Sequence, residues 1–72
     1  MLRPIAEVHL TLREIEVLVH IANDLTTKEI AALLNIVTKT VEFHKEALRK
    51  KVGARGTAGL VRYAIRAGLI EP

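Results

Sequence analysis

Two Thr-x-x-Glu segments, Thr11 to Glu14 and Thr26 to Glu29, constrain the fold of this chain more than any other feature. In a capping box of this spacing, the threonine hydroxyl and the glutamate carboxylate each accept a hydrogen bond from a backbone N–H that the first helical turn leaves unpaired. Each segment therefore predicts the start of a helix. Because no stretch alternates apolar and polar residues for long enough to indicate a strand, we expect an all-α chain.

Length and composition narrow the class of protein further. A chain of 72 residues forms one domain at most and buries only about 60% of the surface that its unfolded chain exposes. The absence of Cys and Ser excludes disulfides, cysteine zinc sites and Cys or Ser nucleophiles. No apolar run approaches the roughly 20 residues that span a bilayer. We therefore expect a cytoplasmic domain that is not an enzyme and does not span a membrane.

The apolar spacing predicts four helices. Residues 1–9 contain Pro4 and show no sustained period, so we expect a tail or linker there and the domain in residues 10–72. Helix one begins at Leu12, and the other helices cover about residues 27–34, 38–51 and 57–67. The positions expected in the core recur at helical spacing: Leu12, Ile15, Leu18, Val19 and Ala22 in helix one; Ile30, Ala31 and Leu34 in helix two; Val41, Ala47, Leu48 and Val52 in helix three; Leu60, Val61, Ala64 and Ile65 in helix four.

The charge is distributed unevenly along the chain. Residues 1–37 carry three basic and five acidic side chains, a net charge of −2, whereas residues 38–72 carry eight basic and three acidic ones, a net charge of +5. Lys and Arg release condensed counterions when they meet phosphates. The basic half therefore indicates a surface that faces a polyanion, either nucleic acid or an anionic membrane. A solvated basic helix is the alternative.

Helices two and three form the pattern of a helix-turn-helix, a short helix followed by a tight turn and a longer basic helix. The side of helix three opposite its core positions carries these polar and aromatic residues: Lys39, Glu42, Phe43, Glu46, Arg49 and Lys50. In a major groove, Glu accepts a hydrogen bond from cytosine N4 and Phe contacts a thymine methyl group, while cations neutralise phosphates. Alternatively, the two glutamates pair with Lys45, Arg49 or Lys50 on a solvated helix, and Phe43 folds against helix two.

Five ordered runs resemble one known family: L-T-L-R-E-I-E-V-L, T-T-K-E-I-A, T-K-T-V-E-F-H, K-V-G-A-R and A-I-R-A-G-L-I. They are similar to the LuxR/NarL/FixJ-type, GerE-like helix-turn-helix domain of bacterial transcriptional regulators, and the resemblance covers about residues 10–70. It implies a small four-helix domain of the LuxR C-terminal type, often the output domain of a response regulator, whose third helix reads the major groove of double-stranded promoter or operator DNA. It also implies a homodimer on DNA that forms through the fourth helix, with RNA polymerase as a further candidate partner.

Carried over by position, the resemblance assigns roles to individual residues. It places DNA base contacts at Glu42, Phe43 and Glu46. Together with the basic pattern of helix three, it places phosphate contacts at Thr27, Lys28, Lys39, Thr40, His44, Lys45, Arg49, Lys50 and Arg55. The dimer interface of the fourth helix is expected at Leu60, Val61, Ala64 and Ile65.

The sequence departs from the family pattern at three positions. Val37 stands where the family usually has Ser before the recognition helix, so that N-cap is lost unless Thr38 replaces it one residue later. Asp24 replaces a frequent Gly in the first turn, which is acceptable if Asp adopts the left-handed conformation. Gly59 replaces a frequent Glu early in helix four, which removes a capping-box partner and adds a helix cost of roughly 1 kcal/mol.

Two other function classes are compatible with the same layout. A sigma-factor region 4 domain shares the L-T-x-R-E opening, although the T-V-E-F-H run argues against it. A protein-interaction or dimerisation module would use the fourth helix to pair with a partner and would show no specific DNA binding. The three histidines lack metal-ligand spacing, and no Gly-rich phosphate loop is present, so we expect neither a metal nor a cofactor.

Overall fold

The computed structural model describes residues 8–72, which fold into four helices. α1 covers Leu12–Ala22, α2 covers Thr27–Leu34, α3 covers Thr38–Val52 and α4 covers Thr57–Arg66. Residues 8–72 contain no strand, so the expected all-α fold is confirmed. The ends of α3 and α4 differ from the expected ends by one residue each. The tail or linker predicted for residues 1–9 falls largely on residues 1–7, which lie outside the described residues.

Both capping boxes form and start α1 and α2 where the sequence predicts. The N–H of Thr11 donates to Oε1 of Glu14 at 3.0 Å, and the N–H of Glu14 donates to Oγ1 of Thr11 at 3.0 Å. The corresponding distances for Thr26 and Glu29 are 2.8 and 3.1 Å. Since each box satisfies two otherwise unpaired backbone donors, these two helices begin at positions that the local sequence determines.

Left-handed residues connect the first three helices. Asp24 has φ 70° and Asn35 has φ 57°, and short polar side chains of this kind accept the left-handed region better than other non-glycine residues do. The prediction that Asp24 tolerates the conformation of the glycine it replaces is confirmed. The chain therefore reverses tightly after α1 and again after α2.

The core draws residues from all four helices. α1 contributes the most buried side chains, and α3 and α4 both pack against it. The buried apolar residues of the described part of the chain are Val17, Leu18, Ile21, Ile30, Ala31, Val41, Leu48, Leu60 and Ala64. Leu34, Val52 and Ala22 are half-buried beside them. Most core positions expected in α2, α3 and α4 therefore lie in this core or pack against it. The exceptions are Ala47, Val61 and Ile65, which are half-buried but do not belong to the core cluster or the residues packed on it.

The core face predicted for α1 is partly wrong. Leu12 is 82% exposed, whereas Val17 and Ile21, which were not expected in the core, are buried together with Leu18. α1 carries apolar residues around most of its circumference, so two overlapping stripes satisfy helical spacing. Contacts with α3 and α4 select the stripe that contains Glu14, which is only 5% exposed.

α3 and α4 begin without side-chain caps. Val37 is the N-cap of α3 and makes no side-chain hydrogen bond to the helix. Thr38 does not replace the missing cap, because it is already the first helical residue. Gly56 likewise caps α4 without a side chain. The predicted loss of the N-cap at Val37 is confirmed, and the start of α4 has no capping box, as expected with Gly59 in place of Glu.

Gly59 has a packing role that its sequence position does not reveal. A Cβ atom built on Gly59 would lie 2.9 Å from the Cβ of Ala54 and 3.4 Å from its Cα. The absence of a side chain thus lets the α3–α4 connection lie close against the first turn of α4. The helix cost of this glycine is offset by a close backbone approach.

Candidate nucleic-acid interface

The rotation of α3 about its own axis is set by the core and by the turn that precedes it. The N–H of Ile36, in the turn after α2, donates to the carbonyl of Ala31 at 3.0 Å. Ile36 also packs against the core. On the inner side of α3, Val41 and Leu48 have no exposed surface. The opposite side of α3 must therefore face solvent.

That opposite side forms one continuous exposed surface, which we call the outward face: Lys39, Glu42, Phe43, Glu46 and Lys50. Each member lies three or four residues from at least one other member, so they form one row of neighbours on the helix surface. Phe43 is 71% exposed, and the alternative that it folds against α2 is wrong. The structure thus brings the three predicted base-contacting residues together on one exposed surface.

Phe43 also contacts the neighbouring histidine. The ring centroids of Phe43 and His44 are 6.0 Å apart with an interplanar angle of 67°, an edge-to-face arrangement. His44 is half-buried, so this contact supports one edge of the phenylalanine while the rest of its ring faces solvent.

Lys45 connects the outward part of α3 to the start of α2. Its Nζ donates to Oγ1 of Thr27 at 3.4 Å, and both side chains are half-buried. Lys28, the next residue of α2, is exposed. Three predicted phosphate-contacting residues from two helices therefore lie beside one another.

Glu46 and Arg49 form a two-pronged ion pair on α3. Nε of Arg49 donates to Oε1 of Glu46 at 3.0 Å, and Nη2 donates to Oε2 at 2.6 Å. The remaining nitrogen, Nη1, donates to the carbonyl of Ala54 at 3.2 Å. The hydrogen bonds and positive charge of Arg49 lower the pKa of Glu46 below its ordinary value, and the bond to Glu46 raises the pKa of Arg49. Glu46 thus forms an ion pair with a basic residue of its own helix, which was the alternative interpretation of the two glutamates. The side chain of Glu42 is exposed.

The other predicted phosphate contacts lie around the outward face. Lys39 and Lys50 are exposed near its two ends, Thr40 is half-buried beside Lys39, and Arg55 is exposed in the connection to α4. The positive charges of Lys39 and Lys50 therefore lie near the two ends of the row that contains Glu42, Phe43 and Glu46.

The predicted dimer interface of α4 requires a correction. Leu60 and Ala64 belong to the core of the single chain, with exposures of 2% and 0%, and therefore have no surface to offer a second copy. Val61 and Ile65 are half-buried and are the two members of the predicted set that a partner can reach. Helical spacing alone does not separate these two pairs, because all four residues lie on one broad apolar stripe.

Thr57 lies beside the outward face of α3 and was not predicted as a site residue from the sequence. A groove of about 220 Å³ runs between α3 and the start of α4, and Thr57 lines it together with Glu42, Lys45 and Glu46. Thr57 is the first residue of α4, whose N-terminus has no side-chain cap. The only signal in the sequence is the missing cap, which leaves backbone N–H groups available at that end.

A second groove lies on the other side of the α3–α4 connection. It has a volume of about 380 Å³, and Arg55, Arg62 and Arg66 are among the residues that line it. Arg62 and Arg66 are four residues apart in the sequence and therefore lie one turn apart on α4.

Two features are absent from residues 8–72: a cluster of potential metal ligands and a helix that could span a membrane. This part of the chain holds no group of three or more His, Asp or Glu side chains arranged to bind a metal ion. None of its helices has the length and apolar character that crossing a bilayer requires.

Comparison with known protein families returns a match over most of the chain. Residues 8–64 match the model of bacterial regulatory proteins of the luxR family. The chain is 44% identical over 62 residues to the transcriptional regulatory protein MctR of Rhizobium johnstonii. It is 42% identical over 62 residues to the oxygen regulatory protein NreC of Staphylococcus aureus. Each alignment covers 86% of this chain but only 29% of the relative.

A solved structure agrees with the fold. The structure of VqmA from Vibrio cholerae, a dimer described among LuxR-type receptors and studied without its target DNA, superposes with a TM-score of 0.82 at 34% sequence identity. The match covers 93% of this chain and 30% of that one. The chain thus spans less than a third of the length of the proteins that it resembles, and the family resemblance and fold class inferred from its motifs are confirmed.

Proposed function

The chain belongs to the luxR family of bacterial regulatory proteins and is a helix-turn-helix DNA-binding domain, and from this premise we propose that it regulates transcription by binding promoter DNA sequence-specifically. The observation that carries the proposal is the outward face of α3. It presents two carboxylates and an exposed aromatic ring between lysines at its ends, while Val41 and Leu48 hold the opposite side in the core. No catalytic step is part of this role.

Sequence selection is assigned to the middle of the outward face. Glu42 and Glu46 accept hydrogen bonds from cytosine N4, and Phe43 contacts the methyl group of thymine. A carboxylate in the groove is also repelled by the phosphates, so these contacts favour sequences that supply a donor at the right position and disfavour all others.

Affinity that is independent of sequence comes from the surrounding cations. Lys39 and Lys50 lie near the two ends of the outward face, and Lys28 lies next to the contact between Lys45 and Thr27. These side chains neutralise phosphates on either side of the groove and release counterions. The uncapped first turn of α3 adds backbone N–H groups that are compatible with a phosphate oxygen.

Two copies of the domain bind together in this proposal. A single module buries roughly 600 to 1,000 Å² on DNA, so a second copy increases both affinity and the length of sequence that is read. Val61 and Ile65 of α4 provide the contact between copies, because they are the members of the apolar stripe that the core leaves accessible. We place the homodimer in the bacterial cytoplasm, at promoters where RNA polymerase is a further partner.

The dependence of binding on salt tests the electrostatic part of the proposal. We expect Lys50→Ala to weaken binding to all duplex sequences and to reduce the slope of log K against log salt by about 0.9. Arg66→Ala is the matched control, because Arg66 is an exposed cation at the far end of α4. Fluorescence anisotropy with labelled duplexes at several salt concentrations measures both slopes. Absent or salt-independent binding by the unmodified domain would contradict the proposal and favour a protein-interaction module.

A further inference from the structure

Each of the three guanidinium nitrogens of Arg49 donates a hydrogen bond within the domain. Nε and Nη2 each donate to a different carboxylate oxygen of Glu46, at 3.0 and 2.6 Å, and Nη1 donates to the carbonyl of Ala54 at 3.2 Å. A guanidinium that contacts a phosphate needs free N–H groups in the same plane. Three of its five N–H groups are used in this way, so one on Nη1 and one on Nη2 remain for the phosphate contact expected from its basic character.

We infer that Arg49 is a positioning residue that fixes the carboxylate of Glu46 in one orientation for base reading; this inference rests on the proposed DNA-binding function. Both side chains are more than a third exposed, at 38% for Arg49 and 51% for Glu46. The pair is therefore accessible on the surface of α3 and is not a contact within the core.

The geometry leaves Glu46 able to accept a base donor. An ionised carboxylate has about four lone-pair sites, and Arg49 uses one on each oxygen. The remaining sites stay available to a donor such as cytosine N4. Since the planar fork holds both oxygens at once, the carboxylate has less rotational freedom to lose on binding than a lone glutamate has.

The charge of Arg49 also permits a carboxylate at this location. An unpaired glutamate in a groove lined by phosphates would raise the cost of every encounter with DNA. Arg49 compensates this charge locally, and its hydrogen bonds to Glu46 lower the pKa of that carboxyl. The result is a hydrogen-bond acceptor with reduced long-range repulsion.

Arg49 is itself held by the end of α3. Its backbone carbonyl accepts from the N–H groups of Gly53 and Ala54 at 2.9 and 3.0 Å, while its Nη1 donates to the carbonyl of Ala54. Gly59 allows Ala54 to lie close to α4. The orientation of Glu46 is thus connected through Arg49 and Ala54 to the body of the domain.

The test compares Arg49→Lys, Arg49→Ala, Glu46→Ala and the double variant Arg49→Lys, Glu46→Ala. Lysine keeps the positive charge but lacks the planar fork. Binding selections from random duplexes give the base preference of each protein, anisotropy gives its salt slope, and thermal melting confirms that each variant is folded at the temperature of the assay. Lys50→Ala is the matched control, because Lys50 is the neighbouring exposed cation with no role in the fork.

We expect Arg49→Lys to leave the salt slope unchanged and to lower discrimination about fivefold or more at the same base position that Glu46→Ala affects. The double variant should show no loss of discrimination beyond that of Glu46→Ala, because both changes remove one interaction. Lys50→Ala should reduce the salt slope and keep the preference.

Three results would overturn the inference, and they differ from failure of the proposed function. A salt slope reduced by about 0.9 in Arg49→Ala, with base preference intact, would make Arg49 a phosphate contact. An unchanged preference in Arg49→Lys would show that the fork has no effect on reading. An unchanged preference in Glu46→Ala would remove the base contact itself. In all three cases the unmodified domain still selects a sequence, whereas failure of the proposed function means that it selects none.

Discussion

Lys51 at the end of α3 donates a hydrogen bond of 2.7 Å from Nζ to Oε1 of Glu14, in the first turn of α1. The same carboxylate oxygen accepts the N–H of Thr11 at 3.0 Å. The side chain of Glu14 is 7% exposed, so this carboxylate serves at once as the capping partner of α1 and as the anchor for the C-terminal end of the recognition helix. A second contact, from Lys51 Nζ to the carbonyl of His9 at 3.3 Å, extends the connection to the residues before α1.

Removal of Lys51 should destabilise the domain more than removal of other lysines. Lys51→Ala leaves the buried carboxylate of Glu14 without its charge partner, which costs about 1 to 3 kcal/mol. The control is Lys50→Ala, an exposed neighbour for which we expect a change within about 0.5 kcal/mol. Urea unfolding followed by circular dichroism measures both values, and equal stabilities of the two variants would contradict the anchoring role.

The stability of the domain should depend on pH through Glu14. The hydrogen bond from Lys51, followed by that from the backbone of Thr11, lowers the pKa of Glu14 below its ordinary value. A carboxylate with a lowered folded-state pKa stabilises the fold at pH values above its unfolded-state pKa, and this stabilisation is lost as the pH falls through the folded-state pKa. The lowered pKa therefore predicts a loss of stability below about pH 4.5, the ordinary pKa.

Glu14→Gln isolates this contribution from that of the other carboxylates. We expect the difference in unfolding free energy between the unmodified domain and Glu14→Gln to be constant near neutral pH and to shrink as the pH falls below 4.5, the ordinary pKa of the group. Urea titrations at several pH values provide the difference. A difference that does not change with pH would show that the pKa of Glu14 is the same in the folded and unfolded chain.

A side-chain cap at Val37 should stabilise α3. Val37 is the N-cap residue, is 66% exposed and makes no capping hydrogen bond, so Val37→Ser adds a cap without removing a core contact. We expect a gain of about 0.5 to 2 kcal/mol, seen as a higher melting temperature. Val37→Ala is the control for loss of the apolar side chain, and the account fails if serine gives no more stability than alanine.

Gly59→Ala should destabilise the domain although alanine favours helices. The new Cβ would lie 2.9 Å from the Cβ of Ala54, and the backbone of Ala54 must move to relieve the contact. This displacement outweighs the roughly 1 kcal/mol that alanine gains in an unconstrained helix. Ala58→Gly, at an exposed position of the same turn, is the comparison for helix propensity alone. A higher melting temperature for Gly59→Ala would contradict this prediction, because it would show that the α3–α4 connection moves at little cost to accept the new Cβ.

Local signals made most of the fold predictable. The capping boxes at Thr11 and Thr26 fix two helix starts within a few residues of sequence, and Gly53, with φ 77°, marks the end of α3 in the left-handed conformation. The short range of these hydrogen bonds is the reason that sequence spacing suffices for them. The orientation of α1 was not predictable in this way, because its apolar residues allow two core faces and the choice depends on distant partners such as Lys51.

In the candidate site, too, some features follow from sequence spacing and others depend on contacts outside the helix. The exposed row of Glu42, Phe43 and Glu46 follows from helical spacing once the core side of α3 is known. The pairing of Glu46 with Arg49 was one of several open alternatives, because Arg49 and Lys50 lie three and four residues from Glu46, and Lys45 lies three residues from Glu42. Arg49 also contacts the carbonyl of Ala54, and this contact depends on how α3 ends. The structure beyond the helix therefore selects Arg49 among the possible partners of Glu46.

Binding selection from a pool of random duplexes, carried out with the unmodified domain at two salt concentrations, measures whether the outward face of α3 reads base sequence. We expect enrichment of a sequence with two half-sites, together with affinity that falls steeply as salt increases. Salt-dependent binding without enrichment of any sequence would contradict base reading by the outward face of α3, and absence of binding would contradict the proposed function altogether.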